Sequence, residues 1–102
     1  MEQTGIHMKN NPYDTFTEAI DSMVFSEKPM QDRVLDAYTK HISRVEADKI
    51  PEKVRYLYHS FQRCMVPKLK NRDFGDPEAR QIAKAILFIA EEIKKNQQNN
   101  SK

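Results

Sequence analysis

"DPEARQIAKAILFIAEEIKK", Asp76 to Lys95, is the stretch on which the fold turns. Ala79, Ile82, Ile86, Ile89, Ala90 and Ile93 recur at intervals of three, four or one residue. That spacing gathers side chains on one face of an α-helix but scatters them over both faces of a strand. Asp76 before Pro77 reads as an N-cap and a first helical position. Lys94 and Lys95 suit the negative end of a helix that stops at about Lys95. Leu87 and Phe88 fall off the stripe, one to either side. A helix apolar beyond one stripe either sits centrally in its domain or buries a second face against a partner. Phe88, set among Gln81, Lys84, Glu92 and Lys95, is therefore the first candidate contact residue, with Leu87 beside it.

Upstream of this stretch the same period recurs three times. Asn11 and Pro12 open a first helix, with Thr15 and Glu18 in capping-box spacing. Phe16, Ala19, Ile20, Met23 and Val24 form its stripe. Pro29 opens a second helix to about Val45, striped by Met30, Val34, Leu35, Tyr38, Ile42 and Val45. The turn "EADKIP" leads to a third helix from Pro51 to about Met65, ended by Pro67. Residues 67–75, "PKLKNRDFG", read as a linker. Four amphipathic helices with short connections predict an all-α fold, a small four-helix bundle-like domain over residues 11–95. Residues 1–10 and 96–102 read as disordered tails, and residues 1–7 need not be native.

Composition narrows the class. Two glycines and no alternating β-branched runs speak against a β-fold. One cysteine forbids an intrachain disulfide and fits a reducing, cytoplasmic setting. The start of the chain lacks an apolar signal core. The strongest apolar run, "AILFIA" from Ala85 to Ala90, is far short of the ~20 residues of a membrane helix. The net charge of +2 is unevenly spread: residues 1–27 carry −4, residues 28–72 carry +6, and the remainder is neutral.

"YHSFQRCM", Tyr58 to Met65, holds histidine, serine and cysteine. At about 100° per residue, Ile50, Val54, Leu57, Tyr58, Phe61, Cys64 and Met65 share one side of the third helix, with Cys64 on its flank. His59 falls nearly opposite, so thiol and imidazole cannot make the contact a nucleophile–base pair needs. Cys64 reads as a small buried hydrophobe and His41 as a partly buried, hydrogen-bonded histidine. Spacings for a metal site are missing, and no cofactor or catalytic residue is expected. The chain reads as a non-enzyme.

Two function classes remain. The first is a cytoplasmic protein-binding module, an adaptor, regulator or inhibitor of a larger partner that can self-associate. Its contacts would be Leu87 and Phe88, with a second face of Arg55, Tyr56, His59 and Arg63, since aromatic and arginine side chains dominate interfaces. The alternative is nucleic-acid binding through the basic central block, with Arg33, Lys40, Arg44, Lys68, Lys70 and Arg72 on one continuous surface.

Overall fold

The computed structural model describes residues 11–100, with the side chains of residues 98–100 outside the description. The tail assigned to residues 1–10, and residues 101–102, lie outside the described residues. The chain is an all-α four-helix bundle. Its long helices are α1 (Pro12–Phe25), α2 (Met30–Lys40), α3 (Glu52–Cys64) and α5 (Asp76–Asn100); a short α4 (Val66–Asn71) joins the last two. Gln97 Nε2 lies 3.4 Å from Asn11 Oδ1, so α1 and α5 run antiparallel. Gln31 Nε2 donates to the Phe74 carbonyl at 3.0 Å, which puts the start of α2 beside the start of α5. The order is up, down, up, down, with α5 packed against α1, α2 and α3.

The stripe of Ala79, Ile82, Ile86, Ile89, Ala90 and Ile93 is buried in full. It meets Phe16, Ala19 and Met23 of α1, Val34 and Ala37 of α2, and Val54, Tyr58 and Phe61 of α3 in one core. Phe16 and Tyr58 pack edge to face, with centroids 6.3 Å apart. No buried side-chain nitrogen or oxygen among the described residues lacks a partner. Ile86→Ala therefore opens a cavity at the centre, and about 2–5 kcal/mol is its expected cost.

Local chemistry explains where the boundaries depart from expectation. At α1, Asn11 is the cap: its side chain accepts from the Tyr13 amide at 2.8 Å. The Thr15–Glu18 spacing is not a capping box, since both residues already lie inside the helix, where the Thr15 hydroxyl bonds the Asn11 carbonyl. At α5 the cap moves back one residue from Asp76. The Glu78 carboxylate accepts from the Gly75 amide at 2.8 Å, and the Ala79 amide bonds the Gly75 carbonyl. The helix also continues past Lys95 to Asn100. Asn96 bonds back to the Glu92 carbonyl and Gln97 reaches α1, which anchors residues assigned to a tail.

α2 stops at Lys40, short of Val45, and two 3₁₀ turns follow, Ile42–Arg44 and Ala47–Lys49. The break frees carbonyls that a continuous helix would consume. The buried Tyr58 hydroxyl donates to Val45 O at 2.9 Å and lies 3.3 Å from Ile42 O. Arg55 grips the second turn, bonding the carbonyls of Ala47 (3.0 Å) and Ile50 (2.9 Å) and approaching that of Asp48 at 3.4 Å. Residues 67–75 are not a plain linker, because α4 buries Leu69 completely. Pro67 forces the break after α3, and Arg72, left-handed at φ 54°, ends α4 with its amide on the carbonyls of Leu69 and Lys68.

Burial, with the nearby Tyr38, pushes the Tyr58 phenol up from 10.0 to about 12. A raised folded-state pKa means its stabilisation is complete below pH 10 and is lost between pH 10 and 12. Tyr58→Phe leaves the Val45 carbonyl without its donor and should cost about 1–2 kcal/mol at neutral pH. Its loss of stability above pH 10 should be shallower than the native chain's, as measured by urea melts at stepped pH. The opposite limb belongs to carboxylates. Lys28 holds Asp36 below its usual range, and the Gly75 amide with Lys68 does the same for Glu78. Their contribution is present at neutral pH and fades as pH falls through the carboxylate range.

Candidate functional site

Helical phase decides which side chains the bundle cannot cover. Three neighbours enclose the inner side of α5, and Leu87 and Phe88, about 100° and 200° from Ile86, fall outside that arc. Leu87 is 42% exposed and Phe88 50%. The end of α1 adds Val24 (63%) and Phe25 (81%). Counting from the Asn11–Gln97 contact at about 1.5 Å per residue, Val24 is level with Lys84, one turn from Leu87 and Phe88 along the bundle axis. Sequence reading placed Val24 in the core stripe and did not single out Phe25. The signal for Phe25 was available: it sits opposite Phe16 in helical phase.

The second proposed contact face divides. Tyr56 is 68% exposed, His59 and Arg63 are exposed, and His59 Nδ1 lies 3.3 Å from Gln62 Oε1. Arg55 is drawn away from this surface by its bonds to the turn carbonyls. Its guanidinium acts within the fold, fixing the turn that feeds α3.

The basic block lies at two ends of the bundle. Arg33, Lys68, Lys70 and Arg72 belong to the end where α5 begins, and much of that charge is engaged. Lys68 pairs with Glu78 at 3.2 Å, and Arg33 Nε donates to the Lys28 carbonyl. Lys40 and Arg44 lie at the far end. There, with Lys49, His41, Glu18 and Glu46, they line a cleft of about 350 Å³ beside the start of α1. Arg44 and Lys49 have no ion-pair partner among the described residues, and Lys40 lies 4.0 Å from Asp36. His41 Nδ1 is 3.7 Å from Glu18 Oε1, an ion-pair distance on protonation but too long for a hydrogen bond. His41 is half-buried, and among the described residues its ring makes no hydrogen bond, against the bond expected from the sequence.

Cys64 is exposed, against the expectation of burial. It is the last residue of α3, on the flank of the stripe, and the chain turns into α4 immediately after it. Val66 and Leu69 of α4 take the core positions instead. Among the described residues, no three histidine, cysteine, aspartate or glutamate side chains are grouped to hold a metal ion, and no helix is long and apolar enough to cross a membrane.

An exposed thiol should react fully with a disulfide reagent under native conditions, without the lag that unfolding imposes. Reaction only after denaturant is added would place Cys64 back in the core.

Searches against family models, curated proteins and solved structures found no match.

Proposed function

We propose that the chain is a small helical protein-binding module that docks its α5 face on a larger partner as an adaptor, regulator or inhibitor. The observation that carries this reading is the solvent exposure of Leu87 and Phe88 halfway along a helix whose core stripe is already complete. The exposed half of each side chain stabilises nothing in the monomer, and burying it in a complex recovers about 0.7–1.5 kcal/mol each, roughly half the value of full burial. Tyr56, with Arg63 on the outer side of α3, offers a second set of anchors of the type that dominates interfaces. Arg55 is left out of this set because its donors are used internally.

A second reading has one observation in its favour: Arg44 and Lys49 around the cleft, without ion-pair partners among the described residues, suit phosphate groups. Salt separates the two. Nucleic-acid binding through Lys40, Arg44 and Lys49 falls steeply as salt rises, whereas an aromatic-centred contact is nearly insensitive.

Phe88→Asp should leave the helical circular-dichroism signal and melting temperature within error, because the ring carries no core packing. It should abolish capture of a partner by the tagged chain from its native lysate, with about 2 kcal/mol or more lost in a purified complex. Capture unchanged in Phe88→Asp, yet lost in a Lys40/Arg44/Lys49 charge reversal, would replace the first reading with the second.

A further inference from the structure

We propose that a second copy of this chain is an occupant of the α5 face, docked antiparallel about a two-fold axis beside Phe88; this rests on the reading of α5 as the contact face. The pattern of charge around the ring points to the occupant. Lys84 and Glu91 are both exposed and seven residues apart, two helical turns, so they project from the same side of α5 on either side of Phe88. Neither has an ion-pair partner among the described residues, nor has Lys94, whereas Arg80 pairs with Asp76, Glu78 with Lys68, and Lys95 with Glu92.

A two-fold axis midway between Lys84 and Glu91 passes beside Leu87 and Phe88. The antiparallel copy it generates sets each Lys84 against the partner's Glu91 and brings the two Phe88 rings together at the centre. A parallel copy would set Lys84 against Lys84 and Glu91 against Glu91, so the charges select the antiparallel crossing. The next pair outward, Arg80 against the partner's Lys95, is alike in sign, but each is already held within its own chain, by Asp76 and by Glu92, so Lys84 and Glu91 set the sign nearest the apolar middle. One helix pair buries less than the roughly 1,200 Å² at which specific, stable interfaces begin, so the dimer is weak and concentration-dependent. A larger partner that uses Phe88 displaces it.

Sedimentation velocity over rising concentration tests this with the full chain. The native chain should pass from monomer to dimer, and Phe88→Asp should stay monomeric. Lys84→Glu and Glu91→Lys should each weaken the dimer on the order of ten-fold, because each replaces two attractive pairs with two repulsive ones. An equimolar mixture of the two reversed chains should form heterodimers at native affinity, since every cross pair is again opposite in sign; native mass spectrometry counts them. Both residues are exposed, so neither change threatens the fold. A native chain that stays monomeric at all concentrations, or reversed chains that pair no better mixed than apart, overturns the proposal. Phe88-dependent capture of a larger partner by such a monomer would leave the α5 contact face standing without the second copy.

Discussion

Every other feature depends on the packing of one inward stripe of α5 against three helices at once. Ile82, Ile86, Ile89 and Ile93 leave water almost entirely, and they do so only because α1, α2 and α3 close round them. No single neighbour could cover a stripe that broad. The constraint works in both directions. It holds the bundle together, and it fixes the rotation of α5 about its axis, leaving Leu87 and Phe88 outside the core and half exposed.

The connection between α2 and α3 serves the same core by a different device. A tyrosine as large as Tyr58 fills the space beside Phe16, but its hydroxyl needs acceptors that intact helices do not offer. The chain supplies them by breaking α2 at His41 and running through two 3₁₀ turns. Arg55 then holds the second turn from the other side. A buried phenol and a half-buried guanidinium thus organise the same connection, residues 41–51, and α3 enters the bundle at a fixed height. The same economy explains α4, which carries Leu69 into the core across the sharp break that Pro67 imposes.

The long periodic elements were legible because hydrophobic period and burial report the same geometry. All six residues of the α5 stripe were readable, and so was the outward phase of Leu87 and Phe88. Errors gathered where a tertiary partner decides the outcome. Nothing in "TKHISRV" announces that Tyr58, thirteen residues beyond Val45, will draw its carbonyl out of a helix. Cys64 and Val24 had apolar phase but sat in the last turns of their helices, where phase no longer guarantees cover. Arg55 looked like a surface anchor because its acceptors are backbone carbonyls, which a pattern of side chains cannot reveal. The basic block looked continuous along the chain, yet antiparallel helices carry its two halves to opposite ends.

The central claim is that α5 points Ile86 into the core and Phe88 into solvent. The most direct measurement is paramagnetic broadening of side-chain NMR signals by a soluble, neutral gadolinium chelate, in dilute protein. The account predicts strong broadening of the Phe88 ring protons and none of the Ile86 methyls. Equal protection of the two in a monomer, or broadening of Ile86, would contradict it.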